Sequence, residues 1–400
     1  MKTTEEITNF AQKLGFRPVG IAPAHPFTET RAAARARLKA GYLDGMAWYT
    51  SERVERGTRP DWLLSNARSI ISLALPYYVG EQRTDSPRSH GPSGVVSRYA
   101  WGRDYHNVLR KKLKKLVSFL ESKHASARFF ADTGPILDRA AAFRAGVGWY
   151  GKSTMILTEE QGTWVFLAEV ITDLQLEYTK PLKKNCGSCT RCIDACPTGA
   201  IVAPYQVDSR RCISYLTIEN RGGIPRELRS LMGTRVFGCD ICQDVCPVNR
   251  YPTADADDDF LPRPGVGPSM PLLPLLEITD EEFKDRFQGT SLMRTKRLGL
   301  RRNAIVALGN AGDPVAIPAL RRILIDESEP TMLREHAAWA LGCFSEVAAR
   351  EALGHALEQL LPPVVRAEVE DALHGRKSSE AAGDFAHAAA EETSISPSTV

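Results

Sequence analysis

No run among the 400 residues is apolar and long enough to span a bilayer. The opening MKTTEEITNFAQKLGF has neither the apolar centre of a secretory leader nor a twin-arginine signal. From these absences the sequence predicts a cytoplasmic protein with no membrane partner. A strong charge of one sign is also lacking. The 51 Lys and Arg against 48 Asp and Glu leave +3, too little to imply a polyanionic partner, although RKKLKKL and TKRLGLRR are local basic clusters. The aromatic share of 8% and charged share of 25% are those of ordinary globular chains, and the length suits two or three domains. Cysteine breaks the pattern: eight of the nine lie between residues 186 and 246.

The stretch KKNCGSCTRCIDACPTGA sets Cys186, Cys189, Cys192 and Cys196 in a C-x2-C-x2-C-x3-C rhythm closed by Pro197, the bacterial ferredoxin spacing. Structural zinc sites instead take two C-x2-C pairs parted by a longer loop. Disulfides are disfavoured where thiols stay reduced. VFGCDICQDVCPVN repeats half of the rhythm with Cys239, Cys242 and Cys246; Val236 stands where a fourth cysteine would be, and Cys212 in RRCISYL is unassigned. In two-cluster ferredoxins the fourth cysteine of each run ligates the other cluster. The swap puts one [4Fe-4S] cluster on Cys186, Cys189, Cys192 and Cys246, and another on Cys196, Cys212, Cys239 and Cys242. Cys343, in HAAWALGCF, is left over and reads as a buried, inert thiol. Two clusters tied in this way form a short electron path, and the rest of the chain must supply its end.

Residues 1–180 mix β-like runs (RSIISLALPYY, ARFFAD, TWVFLAEVIT) with amphipathic helical ones and read as an α/β domain. In DYHNVLRKKLKKLVSFLESKH the stripe Leu109, Leu113, Leu116 and Leu120 predicts a helix packed on a sheet, with Lys111, Lys112, Lys114 and Lys115 on its solvated face. The cluster domain is expected at 181–255, and an irregular Pro- and Asp-rich connector at 256–290. At 291–376 Ala307-Leu308-Gly309 recurs as Ala340-Leu341-Gly342 and Ala372-Leu373, each leucine seven residues after an arginine (Arg301, Arg334, Arg366). A period of about 33 residues resembles HEAT-type helical repeats. The tail at 377–400 is polar and Ala- and Ser-rich and is expected to be disordered. GVGWYGKS, Gly146 to Ser153, satisfies two phosphate-loop patterns, but a helix precedes it and strands follow it, the reverse of the order such loops need.

SRYAWGRDYH, DTGPILDRAAAFRAGVGWYGKST, the two cysteine runs with Cys212 between them, and RRNAIVALGN together resemble the epoxyqueuosine reductase family, cobalamin-dependent iron–sulfur enzymes that complete queuosine synthesis in tRNA. The likeness runs from the first helix through the repeats and is to the longer form of the family. It implies an α+β/α multidomain fold: a nitroreductase-like α/β cobalamin-binding domain, a ferredoxin-like domain with two [4Fe-4S] clusters, and C-terminal HEAT-like repeats.

By the same resemblance Asp132 of the DTGP turn is the proton donor; read alone, it is an Asx-turn or cap residue. Reducing an epoxide to an alkene takes two electrons and expels oxygen as water, so the leaving oxygen needs a proton, and a carboxyl kept protonated by an apolar pocket could give it. The cofactor pocket is expected to draw on Arg56, Ser97, Asp132, Lys152, Ser153, Thr154 and Ser214. Arg139 is either part of that pocket or a structural partner of Asp138. His106 reads as a helix-start or packing residue, because the D-x-H-x-x-G signature of one cobalamin class breaks at Leu109. The implied partners are tRNA with a GUN anticodon and an external low-potential electron donor, the protein acting as a monomer. MRTKRLGLRR, Met293 to Arg302, is the basic candidate for RNA contact. The other readings are a corrinoid reductive dehalogenase and a ferredoxin-type electron-transfer protein.

Overall fold

Strands form where the apolar runs predict them, and the computed structural model describes residues 2–80 and 91–375. The tail expected at 377–400 lies outside the described residues. In chain order the strands are β1 (Val19–Pro23), β2 (Ser69–Pro76), β3 (Ser93–Val96), β4 (Ala127–Phe130), β5 (Trp149–Tyr150), β6 (Ile156–Leu157), β7 (Val165–Thr172), β8 (Ile201–Ala203), β9 (Gln206–Val207), β10 (Arg235–Phe237) and β11 (Ser269–Pro271). The principal sheet runs β1-β2-β7-β4 and is antiparallel throughout. Every residue of β2 is buried, because helices cover both faces. Side chains alternate along a strand, so Ile71, Leu73 and Leu75 meet the helices Lys2–Lys13 and Tyr105–Glu121, while Ile70 and Ala74 face the side of helix Asp138–Arg144.

The Leu109, Leu113, Leu116 and Leu120 stripe is fully buried on that sheet. One lysine of the face expected to be solvated is a tether instead: Lys112 Nζ donates to the Leu14 carbonyl at 2.7 Å and pairs with Asp257 at 2.7 Å. Helix Asp138–Arg144 ends at Gly146, whose φ of +69° suits glycine; a Cβ there would lie 2.4 Å from the Lys180 carbonyl oxygen. The β5–β6 hairpin follows, so GVGWYGKS has the helix-then-strand order and no phosphate loop is formed.

A smaller sheet, β10-β3-β11, is built from three separate stretches of chain. β3 pairs in parallel with β10 of the cysteine-rich segment and antiparallel with β11 of the expected connector. One apolar core runs without a break from Val96 through Ile213 and Phe237 to Val369 in the last repeat.

The repeats are the helices Lys296–Ala311, Ile317–Ile325, Thr331–Leu341, Val347–Leu357 and Pro363–Leu373. Their recurring glycines are points of close crossing: a Cβ on Gly309 would sit 3.0 Å from Ala340 Cα, and one on Gly342 would sit 2.7 Å from Ala372 Cβ. The recurring arginines each reach back to the end of an earlier helix. Arg301 donates to the Leu276 carbonyl at 2.6 Å, Arg334 to Leu324 at 2.9 Å and Arg366 to Gln359 at 3.0 Å. A cation there satisfies carbonyls that the helix leaves open and opposes its dipole.

This geometry corrects the expected RNA-binding role of MRTKRLGLRR. Arg302 is fully buried and donates to the carbonyls of Leu216, Asn220 and Gly222, while Arg301, Arg297 and Arg294 pair with Glu329, Asp280 and Glu219. Arg302 and Arg294 fasten the repeats to the cysteine-rich segment, Arg297 joins them to the connector, and Arg301 pairs within the repeats. Cys343 is corrected too: it is exposed at the end of helix Thr331–Leu341, its thiol donating to the Trp339 carbonyl at 3.5 Å. Among the described residues no helix is long and apolar enough to cross a membrane.

Candidate functional site

A cavity of about 730 Å³ opens between the α/β part and the cysteine-rich segment. Of the residues expected there, Ser97, Asp132, Ser153, Thr154 and Ser214 line it; Arg56 and Lys152 do not. Arg56 is exposed on helix Ser51–Gly57, whereas Arg53, one turn earlier, contributes to the wall. Lys152 points to the first cysteine loop, donating to the Gly187 carbonyl at 2.8 Å. Arg139 lines the cavity and donates to the Thr154 carbonyl and hydroxyl, each at 3.2 Å, rather than serving Asp138.

Asp132 occupies a left-handed turn, φ +50°, with its N–H donated to Asp138 Oδ1 at 3.2 Å and its side chain 60% exposed. Its Oδ2 accepts from the Tyr105 hydroxyl and lies 3.4 Å from His106 Nε2. The other imidazole nitrogen is 2.8 Å from Asp104 Oδ1. Asp104 caps helix Tyr105–Glu121, which delivers Tyr105 and His106 side by side at its first turn. Tyr105 is held in place by stacking on Phe166, centroids 4.3 Å apart.

Burial alone would lower His106, but hydrogen bonds to Asp104 and Asp132 push it up to about 9. Burial alone would raise Asp132, but hydrogen bonds from His106 and Tyr105 hold it below the ordinary carboxylate value. At neutral pH the proton therefore resides on the imidazole. This differs from the expectation of a protonated Asp132 and a His106 that only packs. The sequence placed the histidine next to a cap but could not show that the DTG turn folds against it.

Behind Asp132, the half-buried Asp138 and the fully buried Glu169 are interacting carboxyls, both raised chiefly by burial, Glu169 well above its usual value. Ser72, opposite Glu169 in the sheet, donates to Glu169 Oε1 at 3.3 Å. Such a pair retains a proton where isolated carboxyls would have lost theirs.

The cysteines lie within electrostatic reach of one another: Cys192 feels Cys186, Cys246 and Cys189, while Cys242 feels Cys212, Cys239, Cys192 and Cys196 in falling order. Burial pushes Cys239 up to about 11 and raises Cys212 as well. Among the described residues no three His, Cys, Asp or Glu converge on a single-ion site. Cys196, Cys212, Cys239 and Cys242 all line the cavity, and none of the other four does. Cys246 lies instead on a separate surface groove.

An acid–imidazole cluster on one wall of a large cavity and a thiol quartet on another, with a second quartet behind it, define an iron–sulfur oxidoreductase. Residues 185–249 match the 4Fe-4S double cluster binding domain, 58–133 the family described as Epoxyqueuosine reductase QueG, and 291–374 HEAT repeats. The epoxyqueuosine reductase of Bacillus subtilis (strain 168) is 39% identical over 380 residues, covering 94% of this chain and 96% of that one. A crystal structure of epoxyqueuosine reductase with an epoxyqueuosine-modified tRNA-Tyr stem loop superposes with a TM-score of 0.86 at 37% identity, over 94% of this chain and 98% of that one. A Bacillus subtilis structure with its catalytic aspartate loop swung out of the active site also gives 0.86 at 37% identity, over 94% and 99%. The chain belongs to the epoxyqueuosine reductase family.

Proposed function

We propose that this protein reduces epoxyqueuosine to queuosine at the wobble position of tRNA with a GUN anticodon, the last step of queuosine synthesis, as a cytoplasmic monomer fed by an external low-potential donor. The observation that carries the reading is one cavity with Asp132 on one wall and Cys196, Cys212, Cys239 and Cys242 on another.

The walls suit cobalamin: a wide cavity with Tyr99, Tyr105 and Tyr150 in its lining, and Ser97, Ser153, Thr154 and Ser214 offering polar contacts. Bound there, cobalamin supplies the low-potential electron pair that opens the epoxide. The chain's own residues manage the protons. The reaction consumes two, and the His106–Asp132 pair holds one while the Asp138–Glu169 pair holds another. His106 Nε2 passes its proton by way of Asp132 Oδ2 to the departing oxygen, and the imidazole is left neutral. Asp104 stabilises the imidazolium until then, and Tyr105 fixes the carboxylate's direction. Two [4Fe-4S] clusters on the two quartets fit the Cys-only donor set.

RNA contact is supported at the cavity's approach. Trp48 and Trp62 are 44% and 57% exposed, with the guanidinium carbons of Arg53 and Arg59 each 4.7 Å from the centre of those rings. Exposed aromatic faces backed by cations suit unstacked loop bases and their phosphates.

The test is anaerobic reconstitution with iron, sulfide and cobalamin, incubation with epoxyqueuosine-containing tRNA, and mass analysis of the anticodon nucleoside, which is expected to lose one oxygen. Asp132→Asn is expected to keep both cofactor spectra while turnover falls roughly 10²–10⁴-fold. Unchanged turnover would remove its role, and turnover of organohalides with no change in the nucleoside would mark a dehalogenase instead.

A further inference from the structure

The cavity and the surface groove beside Cys246 share no residue. The groove, about 640 Å³, is bounded by Arg191, Asp194, Asp244, Cys246, Pro247 and Arg250. We propose that it is the docking face for a small acidic protein that delivers electrons singly. The inference rests on the two-cluster reading above.

Three observations converge on that partner. The first is position. All four thiols of one quartet face the cavity and Cys246 of the other faces the groove, so the two quartets lie between substrate and groove. The second is charge. KKNCGSCTR, the loop of the first two thiols, has Lys183, Lys184 and Arg191 and no acid of its own, Lys184 being paired with Glu159 at 2.5 Å. Among the described residues, the exposed Arg191 and Arg250 guanidinium groups have no ion-pair partner. Of the groove's acids, Asp244 is held by Arg98 at 2.6 Å and Asp194 accepts from Thr190 at 2.8 Å. Arg191 and Arg250 thus offer positive charge, Asp244 is neutralised by Arg98, and Asp194 keeps its charge. The third is the apolar rim: Val248 is 37% and Tyr251 82% exposed, with Arg250 lying 5.6 Å from the centre of the Tyr251 ring. Two exposed arginines beside two exposed apolar side chains suit a brief, electrostatically steered encounter rather than a lasting complex.

The balance follows. Opening one epoxide takes two electrons, so two reduced carriers dock in turn, each leaves oxidised by one electron, and no proton crosses at this face. A carrier seated in the groove leaves the cavity open to tRNA.

The test uses the full, cluster-loaded chain with flavodoxin hydroquinone as probe, following bleaching of the iron–sulfur absorbance by stopped flow. The wild-type rate is expected to fall about tenfold or more between low and high salt. The double variant Arg191→Glu, Arg250→Glu is expected to lose about tenfold at low salt, and to weaken in affinity for oxidised flavodoxin by a similar factor. Bleaching by reduced methyl viologen and affinity for the tRNA stem loop should not fall. Arg191→Gln, Arg250→Gln should lie between, and together with the salt series it carries the test if the charge-reversed chain loses iron.

Three results would overturn the proposal: undiminished flavodoxin reduction in both double variants, a wild-type rate indifferent to salt or undetectable with flavodoxin, or a loss confined to stem-loop affinity, which would make this an RNA surface. A wild-type chain with no iron–sulfur absorbance and no bleaching by viologen would remove the underlying two-cluster reading, a failure distinct from the others.

Discussion

His106 lies between two carboxylates, and in the proposed reaction its proton is one of the two consumed. Because its folded value is raised to about 9, above the ordinary 6.5, its pairing stabilises the fold fully below about pH 6.5, and that stabilisation is lost as pH rises through about 9. In an NMR titration the imidazole should have its midpoint near 9. Asp104→Asn should bring it down by about one unit or more; an unmoved midpoint would show that Asp104 does not hold the proton there. Asp132 itself was legible through DTGP, and Ser97, Ser153, Thr154 and Ser214 through the segments around it. His106 and Tyr105 were not, because what matters is their approach to a distant turn, and a broken cobalamin signature says nothing of that approach. Arg56 failed for a simpler reason: on a short helix, one turn decides which arginine faces the cavity.

Helical elements recorded their spacing in the sequence but not the work of their charges. The Ala-Leu-Gly period marked the close crossings at Gly309 and Gly342. The arginine seven residues before each leucine was visible only as a regularity. In the structure it joins a later helix to the carbonyls of an earlier one. Arg334 is 4% exposed, and Arg334→Ala is expected to cost about 1–3 kcal/mol by stranding the Leu324 carbonyl. A lower urea midpoint with the same slope and full iron content would show it; an unchanged midpoint would reduce the contact to decoration. The same logic explains why MRTKRLGLRR misled: a basic run looks alike whether it faces water or, like Arg302, three carbonyls inside the core.

At the scale of the whole molecule, the cysteine spacing made the double 4Fe-4S cluster domain readable, and the proposed crossing with Cys212 recruited has a direct test. Cys212→Ala is expected to lower iron from about eight to about four per chain, and Cys343→Ser to leave it unchanged. Equal losses from the two would refute the partition. The chain was read as consecutive blocks because composition changes in blocks, yet β3, β10 and β11 come from three of them and hydrogen-bond into one sheet. That small sheet acts as a chassis. Ser97 follows β3 and Cys239 follows β10, so a polar wall of the cavity and a thiol share one support. A chain cut between the blocks would lose that shared support along with the fold.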